Sequence, residues 1–324
     1  MTYKVGIVGY KNHAKRLQEI IEYNENFDVN WIFHPSKNIN DSRGTNELSN
    51  LFDCDVVIVA SPNFTHLEYI QKFIENSKCY IFCEKPPVTS LDGIEYLENL
   101  SMKDKKRVFF NFNLRFSELD EILKQNNNSE KIGKIIQINI ISSMGYAFKK
   151  RYLDSWHSDG QKNLYNISEN SAIHWIDLMI YNFGESVSSI NFPRLISKNG
   201  TSFDTDLINL KFKNELSVSI FASYATPLID DIVILGTNGY LQINNNSMKI
   251  FYPRDTFDEN GLFAKPKNCI EKEFKIEIII KESLKKSVNF FLDCIKNSKE
   301  FDISYFNSCI ETNRLTLNLR KDHI

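Results

Sequence analysis

A lysine and a glutamate close one of the most apolar runs in the chain: Cys79-Tyr80-Ile81-Phe82-Cys83 leads directly into Glu84-Lys85-Pro86-Pro87. An ammonium at the carboxyl end of a buried strand sits where open α/β sheets bind ligands. There it can orient and polarise an oxygen, and the two prolines stop the strand and restrict the backbone around it. A second group is Gly9-Tyr10-Lys11-Asn12-His13-Ala14, in the frame G-x-G-x-x-G/A that lets backbone approach a diphosphate. Its first glycine and closing Ala14 fit. The middle position is Lys11, whose Cβ obstructs the close approach and whose ammonium can reach a phosphate instead. A third group is His34-Pro35-Ser36-Lys37, at the end of another apolar run. A carboxylate there would hold the ribose 2′-hydroxyl of NAD, whereas hydroxyl, imidazole and ammonium groups suit the 2′-phosphate of NADP better.

These groups need elements to hold them. Strands are expected at Tyr3–Gly9, Asp28–Phe33, Val56–Ala60, Cys79–Cys83 and Val108–Phe112. Between them lie helical stripes: Ala14, Leu17, Ile20 and Ile21; Leu67, Ile70, Phe73 and Ile74; Leu91, Ile94, Leu97 and Leu100. Continuous apolar strands alternating with amphipathic helices make a parallel sheet covered on both faces. The predicted fold class is α/β, a Rossmann-type doubly wound sheet over residues 1–115. An α+β domain over residues 116–324 follows. There Ile136, Ile138 and Ile140 alternate with Gln137 and Asn139, and similar alternation in Leu207–Phe212 and Leu216–Ser223 predicts an open, mostly antiparallel sheet. Asp231–Leu235 and Tyr240–Ile243 join across Asn238-Gly239, a hairpin signal. Helices from about Lys281 to Leu319 read as core cover.

Composition excludes several classes. A chain of 324 residues with net charge −2 carries no electrostatic footprint for nucleic acid or an acidic membrane. No apolar run approaches the ~20 residues that cross a bilayer, and Met1 leads almost at once into a strand, leaving no room for a signal peptide. Six cysteines in a chain this long are not a disulfide scaffold, and Cys79-x-x-x-Cys83 lacks zinc-ligand spacing. The expectation is a reduced, cytoplasmic protein without a metal.

The ordered set of motifs resembles the glucose–fructose oxidoreductase / inositol dehydrogenase (Gfo/Idh/MocA) family. The set comprises Gly9–Ala14, Ser61-Pro62-Asn63-Phe64-Thr65-His66, Glu84-Lys85-Pro86 and Asn113-Leu114-Arg115-Phe116. It continues through Trp156-His157-Ser158-Asp159, Asn170-Ser171-Ala172-Ile173-His174-Trp175-Ile176-Asp177 and Gly236-Thr237-Asn238-Gly239. The resemblance spans essentially the whole chain. It implies an NAD(P)-dependent oxidoreductase that moves a hydride between nicotinamide and a hydroxyl or keto carbon of a sugar, cyclitol or nucleotide-sugar-like substrate. It also implies a homodimer or homotetramer formed through the second sheet.

Carried onto this chain, the motif lysine that contacts the reacting hydroxyl is Lys85, and the histidine base is His174. The aspartate that assists the base four residues earlier has become Asn170. An amide can hold an imidazole ring but cannot stabilise its charged form, although Asp177 or Asp159 offers a replacement carboxylate. The implied cofactor residues are Gly9, Tyr10, Lys11, Asn12, His13, His34, Ser36, Lys37, Ser61, Pro62, Asn63, His66, Glu84, Lys85 and Asn113, with NADP somewhat preferred to NAD. Substrate contacts fall to Arg115, Trp156, His157, Asp159, Tyr165 and His174, and Lys149-Lys150-Arg151 suits a phosphorylated or nucleotide-linked sugar. Glu84 would otherwise pair with a base such as Arg115, and Asn63 and Thr65 would otherwise cap the next helix. Lys11 and Asn170 also fit an alternative: a non-catalytic member that senses cofactor or sugar as a regulatory binding protein.

Overall fold

A computed structural model describes residues 2–244 and 246–320. Two compact units are present among the described residues: residues 2–113 with 284–317, and residues 114–283 with 318–320.

The first unit is built on strands β1 (Tyr3–Val8), β2 (Phe27–Phe33), β3 (Gly44–Thr45), β4 (Val56–Val59), β5 (Tyr80–Glu84) and β6 (Val108–Asn111). They form one parallel sheet in the order β3-β2-β1-β4-β5-β6. All residues of β4 and β6 are buried, as two covered faces require. The five expected strands are all present. The two-residue edge strand β3 was not foreseen, because a pair of residues carries no periodicity. The strand order reverses between β1 and β4, and the turns after these two strands hold Gly9 and Ser61. Ligands of open α/β sheets bind at such a reversal.

Residues 284–317 depart from the expected boundaries. They form most of the helix Ile276–Lys296 and nearly all of the helix Ile303–Asn318, and they cover the first sheet although the sequence reading assigned them to the second domain. Phe291 meets Phe82 edge-on with ring centroids 5.2 Å apart, and Tyr305 stacks on Phe109 at 5.0 Å. Asn313 accepts a hydrogen bond from the Val88 amide at 2.9 Å, just beyond the prolines.

The second unit carries β7 (Ile135–Ser143), β8 (Ser186–Asn191), β9 (Thr205–Phe212), β10 (Ser217–Ser223), β11 (Ile229–Gly236), β12 (Tyr240–Ile243), β13 (Ser247–Tyr252) and β14 (Asn268–Glu273). Their order is β14-β13-β12-β11-β7-β10-β9-β8, antiparallel except for β7 with β10. Ile138, Ile140, Ile208, Leu210, Val218, Ile220, Ile232 and Ile234 form the buried face. Gly239 is required by close approach: a Cβ there would meet the carbonyl oxygens of Lys131 and Phe251 at 2.5 Å each. Among the described residues no helix is long and apolar enough to cross a membrane.

Candidate active site

Chemistry-bearing residues gather in each unit. In the first, β5 ends in Glu84, which is 7% exposed, and Lys85 follows half-buried with a cis bond to Pro86. The same Glu84 oxygen, Oε1, lies 2.7 Å from His13 Nε2 and accepts from Asn111 Nδ2 at 2.8 Å. Asn111 in turn accepts from the Ser287 hydroxyl. Burial pushes the Glu84 carboxyl up, but the His13 ring, the Asn111 amide and the Lys85 ammonium outweigh it and bring it to about 2. Burial likewise draws the Lys85 ammonium down to about 8, with Glu84 resisting. At neutral pH the pair is therefore ionised, with the lysine near its titration point. The partners of Glu84 differ from the expected Arg115. Asn111 had a local signal, as the one polar residue inside Val-Phe-Phe-Asn-Phe; Ser287 had none.

The turn after β1 fits a dinucleotide by its backbone. Gly9 has φ +92°, and a Cβ there would lie 2.9 Å from the Ala60 carbonyl oxygen, so only glycine serves. The helix Asn12–Glu22 starts immediately after it, and the exposed Lys11 at its head provides no side-chain cap. Its first N–H groups and positive dipole end suit an anion. Tyr10 is half-exposed under Lys15, and Asn12 is exposed. At the end of β2, His34 Nδ1 accepts from the amides of Ser36 (3.2 Å) and Lys37 (3.0 Å), so the ring proton sits on Nε2. The His34 ring is kept neutral by burial, then by Lys37 and Lys11. Both lysines therefore bear on one spot.

Ser61 and Pro62 are half-buried beyond β4, and the Ser61 hydroxyl accepts from Thr65 at 2.7 Å. Asn63 is 3% exposed, and neither polar atom of its amide has a hydrogen-bond partner among the described residues. A buried amide without partners is costly unless something else satisfies it, and its position after β4 fits a group of the cofactor. It does not cap the next helix. His66 was expected at the cofactor, but it is buried with its ring on two backbone carbonyls. Asn113 is 8% exposed at the start of a short helical turn.

In the second unit Asn170 lies in a π-helical turn, Ser168–Ala172, which runs into the helix Ile173–Phe183 carrying His174. Both are half-buried. The wider π turn was not visible in the i, i+4 spacing; such turns recur at functional sites. The Asn170 amide donates to the Tyr224 hydroxyl at 3.3 Å. Around Tyr224 stand Tyr146 and Tyr152, with ring centroids at 5.5 and 6.1 Å, and His157 meets Tyr146 at 5.9 Å. Trp156 stacks on His157 at 3.9 Å, and the Arg151 guanidinium lies over Tyr146 at 5.2 Å. Burial raises the Tyr152 phenol to about 12, and its hydroxyl has no partner among the described residues. Tyr146, Tyr152 and Tyr224 were not foreseen, since a tyrosine at a strand end or in a short helix has no distinguishing pattern.

Three expected substrate residues have other settings. Arg115 is 5% exposed and gives Asp177 two hydrogen bonds of 2.8 and 2.5 Å, so it forms a buried ion pair rather than an accessible contact. That pair also commits the Asp177 carboxylate considered for His174. Asp159 caps a short helix and pairs with Lys162 at 3.2 Å. Tyr165 is 7% exposed, edge-on to Phe203, with its hydroxyl toward the Arg320 carbonyl.

Comparison with known proteins agrees with the fold. Residues 3–112 match the profile described as "Oxidoreductase family, NAD-binding Rossmann fold", and residues 121–242 match "GFO/IDH/MocA C-terminal domain". Glucose-6-phosphate 3-dehydrogenase of Bacillus subtilis (strain 168) is 28% identical over 128 residues, 39% of this chain and 36% of that protein. Inositol 2-dehydrogenase of Rhizobium meliloti (strain 1021) is 25% identical over 138 residues, 43% of this chain and 39% of that protein. The matched stretches thus span little more than a third of these relatives. An oxidoreductase from Agrobacterium radiobacter, solved with NAD+, L-tartaric acid and magnesium, superposes with a TM-score of 0.77 at 16% identity, over 98% of this chain and 94% of that one.

Proposed function

The chain belongs to the GFO/IDH/MocA oxidoreductase family, and from that premise we propose that it is an NAD(P)-dependent dehydrogenase or reductase acting on a hydroxyl or keto carbon of a carbohydrate. The observation that carries the reading is Lys85: half-buried at the end of a parallel strand, beside an ionised Glu84, with an ammonium drawn down to about 8. Such a group can donate a hydrogen bond to an alcohol or carbonyl oxygen and also exchange a proton near neutral pH. The bound nicotinamide would supply the hydride acceptor or donor.

The residues suited to hold that cofactor are Gly9, Lys11 and the head of the following helix for its diphosphate, with the unpartnered Asn63 amide beyond. Lys11 and Lys37, converging on neutral His34, favour a 2′-phosphate and hence NADP. Lys85 would fix the reacting oxygen and His174 would be the base for the hydroxyl proton, while the Asn170 amide is given to the Tyr224 hydroxyl. Arg151 over Tyr146 supports a phosphorylated or nucleotide-linked sugar, since a stacked guanidinium keeps its N–H edge for an anion. The open face of the second sheet is the proposed contact between copies in a homodimer or homotetramer, and a cytoplasmic location goes with this reading.

A second reading, a cofactor- or sugar-sensing regulatory protein, is favoured by Lys11 in the fingerprint and by the amide at Asn170. Titration with NADPH and NADH, followed by a carbohydrate screen on wild type and Lys85→Ala, separates the two. The dehydrogenase reading expects micromolar NADPH binding in both proteins and turnover in the wild type alone. Binding with no turnover on any sugar would transfer the case to the sensor, and turnover unchanged by Lys85→Ala would remove the proposed mechanism.

A further inference from the structure

His66 begins the helix His66–Asn76, yet the residue is only 1% exposed. Nδ1 lies 2.8 Å from the Pro86 carbonyl oxygen, and Nε2 lies 3.0 Å from that of Ser61. A carbonyl oxygen only accepts, so each contact needs a ring N–H. Neutral imidazole has one; the imidazolium has two. The carbonyls belong to separate turns. Ser61 leads through Pro62 to Asn63, the buried amide without partners, and Pro86 directly follows Lys85.

We propose that His66 is a positioning residue: its ring ties the Ser61 turn to the Pro86 turn and thereby fixes Lys85 against the turn that presents Asn63. The inference rests on reading Lys85 as the group that orients the substrate oxygen, but the tie itself lies within one compact unit. Burial drives the ring toward its neutral form, the two carbonyls and the Glu84 carboxylate oppose this, and Lys85 adds to it; the net direction is down. The neutral ring has one N–H, which suits the shorter contact, Nδ1 to the Pro86 carbonyl; because His66 lies five residues beyond Ser61 on the same segment, that single bond already joins the two turns. Charging the ring engages both. Glutamine can donate from one nitrogen but cannot replace two ring nitrogens facing opposite ways.

Two measurements on the full chain test this. The first is ¹⁵N NMR of histidine-labelled wild type across pH. It should show one ring that titrates below the ordinary 6.5 and keeps a fixed protonated nitrogen; a ring titrating at 6.5 is solvated and ties nothing. The second is pH-dependent amine labelling of Lys85, read by peptide mass spectrometry, in wild type, His66→Gln and His66→Asn. Loosening the turn should rehydrate the ammonium and move its midpoint from about 8 toward 10.5, while thermal unfolding stays cooperative. An unmoved midpoint in a folded variant overturns the proposal. Should neither variant fold, the wild-type ring titration decides. NADPH titration of the same samples keeps the two readings apart. Wild type that fails to bind removes the dehydrogenase reading and leaves a Lys85 shift standing, whereas an unmoved Lys85 in a cofactor-binding protein removes only the tie.

Discussion

At the scale of single residues, the departure at position 170 sets the sharpest test of mechanism. An aspartate there would favour the charged form of the neighbouring His174 ring, which an amide does not. Asn170→Asp is therefore expected to raise kcat roughly tenfold and to move the pH optimum upward, since general-base efficiency follows the ring's pKa. Steady-state rates across pH would check it, and a sharp loss would show that the site depends on the amide held by Tyr224. Glu84 sets a different pH dependence. Its carboxyl stands at about 2 in the folded chain against an ordinary 4.5. A depressed acid adds stability that is complete above the ordinary value and is lost as pH falls through the folded one. Glu84→Gln should thus be less stable than wild type near neutrality, by on the order of 3 kcal/mol, with the gap closing from pH 4.5 toward 2. Denaturant unfolding at several pH values would read it; parallel curves would show that the carboxylate is not stabilised. Lys85 and Glu84 were legible as a motif, but their electrostatic state was not. That state depends on His13, Asn111 and Ser287, which come from three other parts of the chain.

At the scale of elements, periodicity was informative wherever a strand was long and one or both faces were buried. The run Val56–Val59 and the alternation through Ile135–Ser143 were both readable on that ground. The strands β8 and β14 were not, because their side chains are largely exposed, and the alternation in β13, with Met248 and Ile250 buried, is too short to stand out beside Phe251 and Tyr252. The open face of the second sheet follows from its register. Phe221 pairs with Leu207 on one side and Ile141 on the other; Phe221 and Leu207 are partly exposed and Ile141 is exposed. The next row along is polar, with Ser219 between Asn209 and Asn139. An apolar row beside a polar one on an accessible face suits an interface with satisfied hydrogen bonds more than a buried core. Phe221→Glu would place a charge in that row without touching any proposed site residue. Its expected effect is dissociation to monomers with NADPH affinity intact, measured by light scattering on a sizing column and by fluorescence titration. A wild type that is already monomeric, or an unchanged mass in the variant, would remove the interface from this face.

At the scale of the whole molecule, the order of units along the chain differs from their order in sequence-based division. The chain completes all six strands of its first sheet by Asn111, builds the second unit, and returns with residues 284–317 to cover the first. No local signal could reveal this, because an amphipathic helix shows which face is apolar but not which sheet receives it. The physical consequence is that the first sheet has no complete core until the end of the chain arrives. Phe291 is wholly buried and touches the rings of Phe82, Phe109 and Phe301 with centroids 5.2, 5.7 and 5.3 Å away. Truncating it should cost about 3–5 kcal/mol, as buried aromatic deletions do. Residues 1–115 expressed alone would leave that face of the sheet in water, together with the loop amide of Val88 that bonds Asn313. They are expected to unfold without a cooperative transition and to bind no NADPH. Joining residues 284–317 to them through a flexible linker should restore both properties, followed by thermal circular dichroism and by nicotinamide fluorescence. Cooperative unfolding of residues 1–115 by themselves would show that the late helices are an accessory layer, and the core would then have to close through the strands and first helices alone.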